Sequence, residues 1–151
     1  DRLAALVSDG FAILKVGPGL TFALREALYG LDCIAAELDP AYGGRRLAAA
    51  MEALMLAEPG NWQSHYPGTA EEQHVLRHYS YSDRIRYYWP HPDAERAVAA
   101  LYAALDGRVI PETLVSQFLP RAAGAGPLDA HGHVLHAVER VLEDYAAAIR
   151  G

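Results

Sequence analysis

The chain has 151 residues, of which 52% are hydrophobic and 21% charged, and its formal net charge is −6. This composition is typical of a globular domain that can bury a core, and an acidic balance without a basic cluster argues against nucleic-acid binding. The single cysteine, Cys33, excludes a disulfide framework within the chain,. No apolar stretch reaches the ~20 residues of a membrane span, so we expect a cytoplasmic protein without a membrane partner. The chain starts at Asp1 rather than Met, so the sequence is compatible with a targeting segment upstream of it.

The first part of the chain, residues 1–38, is predicted to contain one β/α unit. The continuous apolar run Phe11–Leu14 predicts a strand covered on both faces,. The turn Gly17-Pro18-Gly19 ends it, and Thr21 is a favourable N-cap for a helix that runs to Leu38. A strand covered on both faces needs neighbouring strands, and the rest of the chain predicts none. We therefore expect the chain to be part of a larger protein.

The remaining residues, 39–151, are predicted to form a helical subdomain. Apolar residues recur at helical spacing in segments separated by proline and glycine, and Thr69 with Glu72 matches a capping box. The predicted helices lie over residues 45–57, 70–78, 82–89, 92–105, 112–119 and 130–149. The predicted fold class is therefore mainly α, with one β/α unit at the start of the chain.

The turn after the predicted strand is the first candidate site. A glycine-rich turn between a strand and a helix N-terminus places backbone N–H groups around an anion, and the helix dipole favours negative charge. The candidate phosphate-binding residues are Lys15, Gly17, Gly19, Thr21 and Phe22. The spacing matches neither a P-loop nor a complete dinucleotide-binding motif. An ordinary turn, in which the glycines only make the bend, is the alternative.

The second candidate is the aromatic, arginine-containing stretch over residues 79–90. Arg84 and Tyr88 are four residues apart, so on a helix the guanidinium would stack on the ring. Arginines beside several aromatic residues suit a phosphate, sugar hydroxyls or a protein interface. The candidate phosphosugar or interface residues are Arg25, Arg84, Arg86, Tyr88 and Trp89. The alternative is that Ile85 and Trp89 anchor a helix while the arginines pair with nearby carboxylates.

No metal site is predicted in the chain. His131, His133 and His136 have no carboxylate or cysteine at ligand spacing, which favours solvated histidines over a metal centre. The other histidines are scattered and receive no role: His65, His74, His78 and His91. No combination of Ser, His and Asp or of Cys and His can be argued from spacing, so no catalytic residue is predicted.

Several segments resemble one known family. In chain order they are LKVGPGLTFALREA at 14–27, Glu58-Pro59 with Trp62, SDRIRYYWP at 82–90 and SQFLP at 116–120. Through this series the chain resembles the GatZ/KbaZ-like family, the non-catalytic subunit of class II D-tagatose-1,6-bisphosphate aldolase, which has also been labelled a tagatose-6-phosphate kinase. The matches run in order across nearly the whole chain, and the motif at 82–90 is long enough to be specific.

The resemblance implies a full-length protein with an aldolase-type (β/α)₈ barrel. This chain would be its C-terminal part, with residues 1–38 as the last β/α unit and residues 39–151 as a helical extension. The implied role is to support a zinc-dependent catalytic aldolase subunit in the catabolism of galactitol and related sugars, with no cofactor in this chain and a phosphorylated ketose as ligand. The resemblance favours such an accessory subunit over an independent catalyst. The alternatives are that the barrel is itself a phosphosugar aldolase or epimerase, or that it is a tagatose-6-phosphate kinase.

Overall fold

The computed structural model describes Ala5, Asp9 and residues 17–150. Residues 17–150 contain helices and no strand, so the prediction of a mainly α fold is confirmed for this part of the chain. The helices are α1 (Gly19–Leu38), α2 (Arg46–Ala57), α3 (Ala70–Tyr79), α4 (Pro92–Leu105), α5 (Glu112–Phe118) and α6 (Ala130–Arg150). Short 3₁₀ turns lie at Pro40–Tyr42, Pro59–Asn61 and Arg84–Tyr87. The predicted strand Phe11–Leu14 lies outside the described residues, and the barrel context and the division at residue 38 stay predictions.

Helix α1 is the central helix of the described part. It packs against α6, α4, α5 and α2, and residues 27–32, which make more than one full turn, are all buried,. Gly30 allows the end of α5 to approach, because a Cβ at this position would overlap the carbonyl oxygen of Phe118. This close contact explains a glycine that otherwise costs a helix about 1 kcal/mol relative to alanine.

The start of α1 differs from the predicted one. The helix begins at Gly19 with Pro18 in the N-cap position, and Thr21 lies within the first turn. The amide of Phe22 donates to the carbonyl oxygen of Pro18 at 2.8 Å. The prediction of Thr21 as N-cap is wrong because the helix already begins two residues earlier. The Thr21 hydroxyl instead lies 3.1 Å from the Pro18 carbonyl oxygen and 2.8 Å from the carboxylate of Asp83.

Helix α2 lies between α1, α3 and α4. It packs against α4, α3 and α1, with Met51 and Met55 fully buried. The indole N–H of Trp62 donates to the Met55 carbonyl oxygen at 2.6 Å and so holds the loop after α2. The predicted capping box of α3 is confirmed, since Thr69 and Glu72 exchange both hydrogen bonds. Helices α2 to α6 agree with the predicted bounds to within one residue.

The aromatic stretch between α3 and α4 is not the α-helix predicted over residues 82–89. Asp83 adopts a left-handed conformation, with a φ of 50°, and only a 3₁₀ turn over Arg84–Tyr87 follows it. Aspartate tolerates this conformation better than most residues, and its carboxylate is directed to α1. The hydroxyl of buried Tyr88 donates to the Glu58 carbonyl oxygen at 2.5 Å, which anchors the stretch in the core.

None of the helices in the described part of the chain combines the length and the hydropathy that a membrane span requires.

Candidate functional site

A stripe of polar residues on α1 is buried in the core. Arg25, Tyr29 and Asp32 follow each other at spacings of four and three residues, so they share one face of the helix,. Buried polar groups are costly unless they are hydrogen-bonded, and each of these three has partners on other elements. Asp32 accepts from the hydroxyl of Tyr42 at 2.7 Å and from the amide of Leu47 at 3.0 Å. The carboxylate therefore fixes the start of α2 against α1.

The guanidinium of Arg25 pairs with the carboxylate of Asp83. Its Nε lies 2.7 Å from Oδ1, with both side chains at most 3% exposed, and its Nη1 donates to the His78 carbonyl oxygen at 2.5 Å. Thr21 donates to the second carboxylate oxygen, and the guanidinium carbon lies 4.3 Å from the centre of the Phe22 ring. Such additional hydrogen bonds are what offset the desolvation of a buried ion pair. The pair fixes the first turns of α1 to the aromatic stretch.

Tyr29 begins a second buried network. Its hydroxyl lies 2.6 Å from Nδ1 of His78, whose Nε2 lies 3.0 Å from Glu52. Burial lowers the pKa of His78 to about 4, so the ring is neutral at pH 7. Burial would raise the pKa of Glu52, but hydrogen bonds from Arg77 and His74 lower it to about 2. The ionised Glu52 therefore accepts from Nε2–H of His78, which leaves Nδ1 to accept from the tyrosine hydroxyl.

These networks border an open groove of about 790 Å³. Its polar lining consists of Arg25, Glu26, Tyr29, Arg45, Tyr79, Tyr81, Gln117 and Arg121. Three arginines and one glutamate line the groove, and Asp83 and Asp32 lie 2.7 Å from Arg25 and 3.7 Å from Arg45. Arg45 donates to the Tyr79 hydroxyl at 3.1 Å, and Arg121 pairs with Glu26 at 2.9 Å. Guanidinium groups beside tyrosines suit an anionic, hydroxyl-rich ligand.

Comparison with known proteins establishes the family. The model for D-tagatose-1,6-bisphosphate aldolase subunit GatZ/KbaZ-like matches residues 1–150. The chain belongs to the GatZ/KbaZ-like family. The resemblance found in the sequence is thereby confirmed, and with it a relation to tagatose-bisphosphate aldolase.

Two relatives of this GatZ/KbaZ-like chain carry other names. A D-tagatose 6-phosphate 4-epimerase of Agrobacterium fabrum is 58% identical over 149 residues, which cover 97% of the chain and 35% of that protein. A crystal structure of a "probable tagatose 6 phosphate kinase" from Sinorhizobium meliloti 1021 matches with a TM-score of 0.93 at 59% identity, covering 98% of the chain and 40% of that structure. The chain thus spans about a third of the length of the curated relative.

The predicted phosphate site of the GatZ/KbaZ-like chain is described only in part. Lys15 lies outside the described residues. Gly17 has a left-handed φ of 58°, and Gly19 opens α1, whose first amides have no partner within the helix,. Phe22 lines the groove, whereas Gly17, Gly19 and Thr21 are not part of its lining. Anion binding at this turn stays a prediction.

The structure does not bring the predicted residues of the aromatic stretch into the groove: Arg84, Arg86, Tyr88 and Trp89 lie outside its lining. The guanidinium of Arg84 lies over the ring of Tyr87, 5.6 Å from its centre, so the predicted stacking on Tyr88 is wrong. A 3₁₀ turn aligns residues three apart rather than four apart, which explains the difference. Arg84 and Arg86 both donate to backbone carbonyl oxygens rather than to carboxylates.

Some residues of the site were missed from the sequence. The groove residues Arg45 and Arg121 lie in loops, and no local pattern marks them. For Tyr29 a signal existed, because it completes the polar stripe on α1. A signal also existed for His74 and His78, which are four residues apart on α3. Together with Glu52 of α2 they place three potential metal-ligand atoms within 4.8 Å of one another.

Proposed function

We propose that the protein carrying this chain interconverts ketohexose 6-phosphates by epimerisation at C4. The arginine-lined groove carries the proposal, since it offers cations and tyrosines to a phosphorylated polyol,. The choice of reaction follows the relative named D-tagatose 6-phosphate 4-epimerase, which matches 97% of the chain at 58% identity. In this proposal the chain is the C-terminal part of a barrel enzyme, and the groove is one wall of its substrate site.

Arg45 and Arg121 are the proposed phosphate ligands. Both are exposed, and a guanidinium has five N–H donors, of which Arg45 gives one to Tyr79 and Arg121 gives one to Glu26. A phosphate would replace Glu26 as the partner of Arg121. Arg25 has a different role, because its buried pair with the aromatic stretch holds it in the groove wall as a positioning residue.

The test is to follow the conversion of D-tagatose 6-phosphate to D-fructose 6-phosphate by NMR with the full-length protein. Epimerisation consumes no second substrate, so turnover should need no nucleotide. Loss of a charged hydrogen bond of about 1.5–3 kcal/mol should raise KM roughly 10- to 150-fold in Arg45→Met. The matched control is Arg96→Met, because Arg96 lies on the exposed face of α4. Absence of interconversion, or equal KM values in the two variants, would refute the proposal.

A second candidate function is that of an accessory subunit of a class II aldolase. The family description, an aldolase subunit, favours it and implies a catalytic partner, which in this proposal is a zinc-dependent aldolase subunit. Here the expected result is no turnover by the protein alone, but a rise in the activity or stability of a catalytic aldolase subunit on mixing. A third reaction, with ATP and Mg²⁺ added, tests for the kinase activity after which the solved relative is named. The three reactions give different products, so the experiment separates them.

A further inference from the structure

Three potential metal ligands converge between α2 and α3. His74 and His78 are four residues apart and lie on one face of α3, against which α2 presents Glu52. Nδ1 of His74 lies 3.0 Å from Oε1 of Glu52, and Nε2 of His78 lies 3.0 Å from Oε2. All three ligand atoms lie within 4.8 Å of one another. None of the three residues is part of the groove lining.

We propose that Glu52, His74 and His78 bind a divalent transition-metal ion of the zinc class. Two imidazole nitrogens and one carboxylate form a donor set that suits Zn²⁺ and leaves a fourth position for water. Ligands at about 2.0–2.1 Å from a tetrahedral zinc ion lie roughly 3.3 Å apart. Each histidine nitrogen lies 3.0 Å from a Glu52 oxygen, close to this value, and the three ligand atoms lie within 4.8 Å of one another.

The surroundings orient the ligands and leave a path for the ion. Nδ1 of His78 lies 2.6 Å from the Tyr29 hydroxyl, and a hydrogen bond to the outer ring nitrogen is the usual way in which a metal-binding histidine is oriented. With Nε2 on the metal, Nδ1–H would donate to the tyrosine oxygen. His78 is buried, whereas the side chain of His74 is 53% exposed, so an ion can enter from its side.

Arg77 holds the carboxylate of the cluster in place. Its Nε donates to Oε2 of Glu52 at 2.8 Å and its Nη2 to Oε1, and its guanidinium carbon lies 4.6 Å from the centre of the Trp62 ring. A carboxylate accepts about four hydrogen bonds, and Arg77 and the two histidines supply four. A metal would replace the two histidine N–H donors and leave those of Arg77 in place. The donor set, with two imidazole nitrogens and one carboxylate oxygen, disfavours Mg²⁺ and Ca²⁺, which need oxygen ligands. The positive charge of Arg77 weakens the binding of every divalent cation to the same degree.

The experiment uses the full-length protein after removal of metals with a chelator. Zn²⁺ is titrated in competition with a chromophoric chelator, and Co²⁺ is added separately as a spectroscopic probe. We expect His74→Ala to bind one Zn²⁺ per chain fewer than the unmodified protein and to lose the visible absorption of one tetrahedral Co²⁺. His65→Ala, which changes an exposed histidine outside the cluster, should bind as the unmodified protein does.

The outcome does not depend on the proposed function, because the readouts are stoichiometry and absorption rather than turnover. The His74 side chain is half exposed, so its replacement should leave the fold intact, which circular dichroism checks. Equal Zn²⁺ stoichiometry in His74→Ala and His65→Ala would overturn the proposal. Equal Co²⁺ spectra in these two variants would also overturn it, since the Glu52 hydrogen bonds would then be only structural.

Discussion

Removal of one partner from the buried ion pair between Arg25 and Asp83 should destabilise the protein strongly. The variant Asp83→Asn keeps the size of the side chain, and asparagine tolerates the left-handed conformation at this position,. The substitution therefore removes the charge without adding backbone strain. What remains is the guanidinium of Arg25, at most 3% exposed, without its counter-charge.

Removal of one partner from a buried ion pair costs about 3–5 kcal/mol. The asparagine oxygen still accepts one hydrogen bond, so we expect a loss near the lower limit, about 3 kcal/mol. For a domain of this size, such a loss lowers the melting temperature by roughly 6–12 °C. The matched control is Glu26→Gln, which breaks the exposed pair with Arg121, where both side chains are more than 40% exposed. Exposed pairs contribute about 0–1 kcal/mol.

The assay is urea-induced unfolding of both variants, with Arg25→Met and the double variant Arg25→Met/Asp83→Asn completing a double-mutant cycle. The cycle should give a coupling free energy above about 1 kcal/mol, because the two side chains are in direct contact. If Asp83→Asn destabilises no more than Glu26→Gln, or if the coupling is near zero, the ion pair does not stabilise the fold in the way argued from its burial.

Two further predictions test the core. Gly30→Ala should lower the free energy of unfolding by about 1–3 kcal/mol in urea, because the new Cβ would overlap the Phe118 carbonyl oxygen,. Gly60→Ala is the near-neutral control, since a Cβ at Gly60 would have open space around it. If Gly30→Ala stabilised the protein, the close packing at this position would be contradicted. Burial lowers the pKa of His133 below its ordinary value of 6.5, against the attraction of Glu112. The unfolded chain therefore binds a proton at His133 more readily than the folded chain does. The free energy of unfolding should fall as pH drops below about 6.5. In His133→Gln the decrease in the urea midpoint between pH 7.5 and 5.5 should be smaller, and an equal decrease would show that His133 contributes nothing to it.

Helices α2 to α6 and the capping box of α3 could be predicted because their physical causes are local. Apolar spacing along α2, α4 and α6 and the capping box of Thr69 with Glu72 involve residues at most a few positions apart,. The same local patterns carried the family resemblance, which the match over residues 1–150 confirmed. A mainly α fold and its family were therefore accessible before any tertiary contact was known.

The candidate site depended on contacts that no local pattern contains. Thr21 and Asp83 are 62 positions apart, and Glu52 and His74 are 22 apart. The left-handed conformation of Asp83 replaced the predicted helix with a 3₁₀ turn and carried Arg84 away from Tyr88.

The sequence by itself determined helices α2 to α6, the capping box of α3 and the family. Only the tertiary structure decided which polar groups form hydrogen bonds with one another. Burial makes an unpaired polar group costly, and the packing of the helices determines which partners lie within reach. The spacing of the polar stripe on α1 could be read from the sequence. The partners of its residues became known only from the packing of α2, α3 and the aromatic stretch around it.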